Sequence, residues 1–428
     1  MSTTSPTTEK SNQPAETSGG RILELDAIRA LTCLNLLFFH FTYVYQHKYG
    51  FASELGFSFP YGKYGVQLFF MLSGLVNALT LIKKRKPGDF ITSRCIRILP
   101  SYWLVILLNI VLFSTLAMYN QTVEFGSTVA NLSTLPRLLG SENMEPVTWT
   151  LQVEMLFYFF LMATFALGLL DKPLRTMMVA ITICLVACSC FDAFKTANPD
   201  STWNSTFYAI DELFFMRNLP LFSMGILLNE LRCQRGRPVA IWLGIVASGV
   251  VFHSIDLRDH NPVVTVMLMG MLTAAAYGKI PVLRFKPLIF ISFISYPLYL
   301  FHNNLGSALM KKVETFGVAP IPTVIIATLF SIGVATAITY WFEQPITRML
   351  RKLFIRSSKP VDSNSKQATE SFAEDPVDEF EVETIGENAA MPLHDFDSSE
   401  CLDELIDAQQ LREEIRRDHT NEDTVTRP

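Results

Sequence analysis

Charge is scarce in this chain. Asp, Glu, Lys and Arg make up only 18% of its 428 residues while half are apolar, and the mean hydropathy is +0.28. That balance excludes an ordinary soluble globule and fits a multi-pass membrane protein. Metal-binding patterns are lacking as well. The seven cysteines are scattered, and Cys184, Cys188 and Cys190 share one apolar run without the paired spacing or histidine partners of a zinc site. They read as small core residues, and no metal site is expected. Residues 1–20, rich in Ser, Thr, Pro and Gly, lack a basic n-region followed by a cleavage site, so no removable signal peptide is expected and the first apolar run serves as an uncleaved anchor. No inverted repeat, no appended second catalytic domain and no nucleic-acid partner is expected.

The charge that is present is unevenly placed. Residues 359–428 hold 20 of the 40 acidic residues but 6 of the 35 basic ones, so the tail is strongly negative and the rest of the chain positive. A polar, acidic stretch with few aromatics predicts disorder over 358–428. Within it, Asp397 with Glu400 three residues on, then Leu402, Leu405, Ile406, Leu411 and Ile415, predicts a capped amphipathic helix over 398–418. Such a helix suits a cytoplasmic partner or the basic face of the membrane domain; a solvated tail without a partner is the alternative.

Ten apolar runs are long enough to cross a hydrocarbon core of roughly 30 Å as helix. They cover approximately 25–46, 64–82, 101–119, 149–170, 176–191, 211–230, 238–254, 262–278, 287–305 and 321–343. The expected fold is an all-α integral membrane protein, a bundle of about ten transmembrane helices over 21–350 with a disordered acidic C-terminal tail and a disordered 1–20 segment. Alternate connections carry the basic clusters: Lys83 to Lys86 with Arg94 and Arg97, then Lys172 and Arg175, Arg232 to Arg237, Lys279 to Lys286, and Arg348 to Arg356. The positive-inside bias puts these connections and both termini on the cytoplasmic side of a plasma (inner) membrane bilayer. The tripeptides NQT at Asn120, NLS at Asn131 and NST at Asn204 read as chance matches to a glycosylation acceptor.

Several ionisable residues sit where lipid would be. In LDAIRALTCLNLLFFH, Arg29 and His40 are eleven residues apart, three turns of helix, so they share one face about 16 Å apart along the axis. Embedded ionisable residues point to function by default, although arginine snorkelling and an interhelical hydrogen bond account for each taken singly. By the same topology Glu154, in WTLQVEMLFYF, and His302, in ISFISYPLYLFH, lie at an outer depth like that of His40. Arg94 and Arg97, in SRCIRILPSYW, sit one turn apart at the inner mouth beside Arg29. The pattern suggests a cytoplasmic anion site connected to an outer acid–base site.

In order along the chain, R-x10-H from Arg29 to His40, FFMLSG at 69–74, RCIRILPSYW at 94–103, WTLQVEMLFY at 149–158, SYPLYLFH at 295–302 and FEQP at 342–345 resemble the pattern of the membrane acyltransferase 3 family. Each motif is weak alone, and the ordered set is specific. Thr150 stands where members of the family commonly have serine, and 191–277 offers no motif to carry over. The resemblance covers 21 to about 350. It implies a membrane O-acyltransferase moving an acyl group, most often acetyl, from cytoplasmic acetyl-CoA or another acyl-CoA to a hydroxyl of a cell-surface or exported carbohydrate, with no permanently bound cofactor. Catalysis would then rest on His40 as base or acyl acceptor, Glu154 orienting it, and His302 holding acceptor or oxyanion. Arg29, Arg94, Arg97 and the Lys83–Lys86 cluster would bind the donor, and Ser73, Trp149, Ser295 and Tyr296 would support the site or the acceptor. Glu343 is expected to pair with a cytoplasmic arginine. The reading from a different class is a transporter or flippase of a lipid-linked or acylated sugar, in which the same buried groups relay protons or bind substrate.

Overall fold

The computed structural model describes residues 22–84, 87–116, 124–256 and 260–354. The 1–20 segment, Arg85 and Lys86 of the Lys83–Lys86 cluster, Asn120, and the tail with its expected 398–418 helix lie outside the described residues. Every regular element among the described residues is helical. In chain order these are α1 (Leu23–Phe38), α2 (Tyr45–Lys48), α3 (Gly65–Lys84), α4 (Pro87–Leu116), α5 (Phe125–Leu132), α6 (Trp149–Ala166), α7 (Pro173–Ala197) and α8 (Trp203–Leu213). There follow α9 (Leu219–Arg232), α10 (Pro238–Ile255), α11 (Pro262–Ala276), α12 (Lys286–Phe293), α13 (Ser295–Phe301), α14 (Asn303–Glu314), α15 (Pro320–Ile338) and α16 (Gln344–Phe354). Proline at the first or second position opens α7, α9, α10, α11 and α15, where the missing N–H costs no helical hydrogen bond.

Among the described residues six helical stretches are long and apolar enough to cross a membrane: Leu23–Lys48, Gly88–Ser114, Pro146–Ala166, Pro173–Ala197, Pro238–Ile255 and Pro320–Phe354. Ten spans were expected, and two of the differences have a visible cause. The expected run 287–305 is broken into α12, α13 and the start of α14. Pro297 has no N–H to give the Phe293 carbonyl, so the ladder of α12 cannot continue through it, and the Ser295 hydroxyl donates instead to the Ser292 carbonyl at 2.7 Å. The expected run 211–230 is interrupted after α8, where Phe215 takes a positive φ of 39°. There Arg217 is gripped by Asp192 at 2.8 Å and Asp211 at 2.6 Å and also donates to the Ile255 carbonyl. That knot ties the ends of α7, α8 and α10 together.

The tightest crossing is between α3 and α9. A Cβ added at Gly225 would lie 1.9 Å from the Met71 carbonyl oxygen, and one at Gly74 would lie 2.2 Å from the Phe222 carbonyl oxygen. Small residues let two backbones touch, the packing that joins helices in lipid where apolar burial drives nothing. Ser223 extends the notch by hydrogen bonding Ser248 of α10 at 3.1 Å. Gly225→Ala is expected to destabilise the bundle by about 1–3 kcal/mol through overpacking, read as a lowered thermal midpoint in detergent. An unchanged midpoint would mean that the helices can part without loss.

Pair contacts fix the direction of each helix. Glu24 with Arg284 at 2.8 Å, Arg29 with Ser292 at 3.4 Å, Cys33 with Ser295 at 3.6 Å and His40 with His302 at 3.1 Å show α1 running parallel to α12 and α13. Ile98 bonded by Tyr296 and Asn109 by Asn304, both at 2.7 Å, add α4 in the same sense. One end of the bundle therefore gathers the start of α1, the α11–α12 connection and the start of α4. The histidines lie toward the other end.

Candidate functional site

The two histidines meet. His302 Nε2 is 3.1 Å from His40 Nδ1, and the rings stack with centroids 4.9 Å apart. Both side chains are buried, at 2% and 1% exposure. Their positions follow from irregular backbone: His40 lies in a π-helical turn, Phe39–Val44, that widens the end of α1, a device common at functional sites. His302 lies at the junction of α13 and α14. Its Nδ1 is 2.7 Å from the Tyr299 carbonyl and 3.1 Å from the Leu298 carbonyl.

Those contacts assign the tautomers. A carbonyl only accepts, so His302 Nδ1 carries a proton, and in the neutral ring Nε2 is an acceptor. The His40 nitrogen facing it, Nδ1, must then donate. The remaining lone pair of the couple therefore sits on His40 Nε2. His302 in this arrangement does for His40 what a carboxylate does for histidine in other acyl-transfer sites: it fixes the tautomer and accepts a hydrogen bond that strengthens when the ring becomes cationic.

Around the pair is a polar network built from residues outside the motifs. Glu145, 1% exposed, accepts from Asn109 at 3.1 Å and from Asn303 at 3.2 Å, and Asn303 lies near His40. Asn304 donates to Asn109 at 2.7 Å and to the Met144 carbonyl at 2.9 Å. A signal was available: Asn109 interrupts the apolar stretch LVILLNIVLF, and Asn303 and Asn304 follow His302 directly. Glu145 lay outside every apolar run and carried no such mark. A narrow crevice lined by Val44, Tyr45, Lys48, Tyr49, Asn303 and Asn304 opens beside this network.

Glu154 is not part of the pair. It accepts from Ser73 Oγ at 2.9 Å and from the Tyr158 hydroxyl, and has no hydrogen bond to His40. The Tyr299 hydroxyl donates to the Val147 carbonyl, in the turn that enters α6, at 2.7 Å and to Thr150 of α6 at 3.1 Å, and Tyr299 also carries the carbonyl that holds His302. Glu154 is a turn or more further in. The expectation that it shares the depth of His40 and His302 and orients the imidazole is corrected: counting residues from the helix end placed it too far out.

Glu154 belongs instead to a second cluster. Tyr158 faces Arg94, whose guanidinium lies 5.8 Å from that ring centroid and 5.3 Å from that of Phe90, within cation–π range of both rings. Arg97 senses the charges of Glu343, Arg29 and Arg94, so the three arginines converge, and Glu343 faces a buried arginine rather than one at the surface. Arg29 is ion-paired to Asp26 at 3.1 Å. Asn77 donates to Ser73 Oγ at 2.9 Å. Glu154 Oε2, Asn77 Oδ1 and Arg94 Nε are buried with no hydrogen-bond partner among the described residues, an arrangement that costs free energy unless another polar group reaches them.

The remaining residues expected at the site have other neighbours. Trp149 packs beneath Arg137, 5.4 Å from its ring centroid. Tyr296 donates to the Ile98 carbonyl, and Ser295 bonds the Ser292 carbonyl across the α12–α13 break, so both brace α13 rather than approach the imidazoles. Asn131 is fully buried and bonds Ser127, Glu142 and Met144, which leaves no room for a glycan.

A family model described as an acyltransferase domain matches residues 22–340. The chain is 27% identical over 315 residues to the exopolysaccharide production protein ExoZ of Rhizobium meliloti (strain 1021), a match that covers 69% of this chain and 93% of that protein. No solved structure matches the chain.

Proposed function

We propose that this multi-pass membrane protein, which belongs to the acyltransferase 3 family, transfers an acyl group, acetyl in the first instance, from acyl-CoA to a hydroxyl of an exported or cell-surface carbohydrate. The observation that carries this reading is the His40–His302 couple, whose hydrogen bonds leave a lone pair on His40 Nε2. A sugar hydroxyl is far too weak an acid to attack a thioester unaided, and an imidazole within reach removes its proton as the bond forms. The new ester C–O bond forms, the C–S bond breaks, and the proton held by His40 passes to the departing thiolate. Passage through an acyl-imidazole on His40 uses the same lone pair, so both orders depend on the same residue.

The inner cluster suits the donor. Guanidinium groups bind phosphates as forks, and Arg29, Arg94 and Arg97 converge there. Glu154 Oε2 and Asn77 Oδ1 are acceptors that the amide N–H groups of a pantetheine arm would satisfy. The rise from Arg29 to His40 is about 16 Å, a length that an extended arm spans. The loop charges support an orientation with this cluster on the cytoplasmic side of the inner membrane and both termini there. A carbohydrate acceptor is supported by the likeness to a protein of exopolysaccharide production.

Arg94→Ala is expected to raise the donor dissociation constant about tenfold or more, the loss of one charge-assisted contact, with equilibrium binding of acetyl-CoA as the readout. The reading as a whole is tested by free-thiol release from acyl-CoA by detergent-purified protein given cell-envelope extract. Release that depends on both protein and extract supports it. Its absence with several acyl donors would favour transport instead.

A further inference from the structure

A cleft of about 630 Å³ opens where α6 gives way to α7 and α9 to α10. Lys172, Arg175, Arg235 and Arg237 line it, against Asp171 and Glu230. Glu230 is engaged by Arg235 at 3.7 Å. Lys172, Arg175 and Arg237 are exposed, and no ion pair to any of the three is present among the described residues. Three cations facing one cavity with no acidic partner of their own is an arrangement suited to an anion. The apolar floor, from Phe165, Leu174 and Ile241, offers a surface for a flat aromatic group. Neither the family motifs nor the reading of the site above uses any of these residues.

The place of the cleft gives the anion its identity. Phe165 lies on α6 seven residues beyond Tyr158, two turns on the same face, and Tyr158 is the residue that faces Arg94. The ring contact of Phe157 with Phe222 at 4.0 Å, together with Phe165 and Glu230 on one cleft, shows α6 and α9 running parallel with their basic ends level. The cleft is thus at the same end of the bundle as the arginine cluster, and the helical rise from Phe165 back to Glu154 is about 16 Å. A molecule with an anionic, aromatic head and a long polar arm fits both places at once.

We propose that this cleft is the nucleotide subsite of the acyl donor, holding the adenine and 3′-phosphate of coenzyme A against Lys172, Arg175 and Arg237 while the pantetheine arm runs along α6 toward Glu154. The assignment rests on the acyl-CoA reading above. It divides donor recognition into the adenine and 3′-phosphate in the cleft and the pyrophosphate at the buried arginines, with the arm carrying the thioester on past Glu154 toward His40.

The test titrates adenosine 3′,5′-bisphosphate into full-length protein in detergent by calorimetry, then measures KM for acetyl-CoA and for acetyl-pantetheine, which lacks the nucleotide. In the Arg175→Ala, Arg237→Ala double variant the bisphosphate is expected to bind at least about tenfold more weakly. KM for acetyl-CoA rises in step, and KM for acetyl-pantetheine is unchanged. Both arginines are exposed, so the variant is expected to keep the wild-type thermal midpoint, and Arg175→Lys with Arg237→Lys recovers part of the binding. Wild-type binding that persists in the double variant, or equal losses with both donors, overturns the nucleotide subsite and leaves the donor reading standing. Wild-type protein that binds neither the bisphosphate nor coenzyme A overturns both.

Discussion

Replacing His40 by alanine is expected to lower turnover about a thousandfold or more, the usual scale for loss of a positioned base, while the affinity for acyl-CoA stays within about twofold. The asymmetry follows from depth. His40 lies at the far end of α1 from Arg29, bonded to His302, whereas the arginines that suit the donor phosphates are gathered at the other end. Turnover under saturating donor and equilibrium donor binding are separate measurements, and the account requires that they part. A parallel loss of both would mean that His40 holds the donor or the fold. His302→Ala should follow the same pattern more mildly, because it removes the group that sets the His40 tautomer and not the lone pair itself.

Glu145→Ala is the second change expected to act strongly, and it acts on structure first. Asn109 and Asn303 both give an N–H to this carboxylate, and all three side chains are buried. Truncation leaves two buried donors without that acceptor at about 1–3 kcal/mol each, so a loss of about 2–6 kcal/mol in stability is expected, read by thermal unfolding in detergent. Turnover should fall as well, because Asn303 lies beside His40. Glu145→Gln keeps one carbonyl oxygen and is expected to retain most of the stability. If both variants unfold like wild type, the network is solvated and does not brace the histidines.

The sequence made the general design legible because lipid imposes it. A helix in hydrocarbon cannot carry arginine or histidine without a partner, so Arg29, His40, Arg94, Arg97, Glu154 and His302 stood out against apolar runs. The structure brings His40 to His302, and Arg94 and Arg97 to Arg29. The depth of Glu154 was misjudged because counting inward from a helix end ignores the loop that precedes it: α6 is entered through Pro146–Thr148, which already lies level with Tyr299. Glu145 was missed because a loop residue becomes buried only when α4 and α14 close over it, and no local pattern records that. Broken helices escaped for a related reason, since hydropathy averages across a break. Pro297 was the one local sign that the run carrying His302 could not be a continuous helix.

The irregular backbone falls where the chemistry is proposed. His40 lies on a π-helical turn and His302 at a helix junction, and non-helical backbone at membrane depth persists only where protein or a polar cavity surrounds it. The price in regular hydrogen bonding is partly recovered by the ring itself, since His302 Nδ1 bonds the last carbonyls of α13.

The most direct measurement of the central claim follows a labelled acyl group from donor to product. Purified protein is given acetyl-CoA labelled in the acetyl carbon together with carbohydrate from cells that lack this protein, and the label is sought in the polysaccharide as an alkali-labile ester. Ester label is expected with wild-type protein and none above background with His40→Ala. Label that enters the carbohydrate equally with both proteins, or that never enters it although the folded wild-type protein binds the donor, would contradict it.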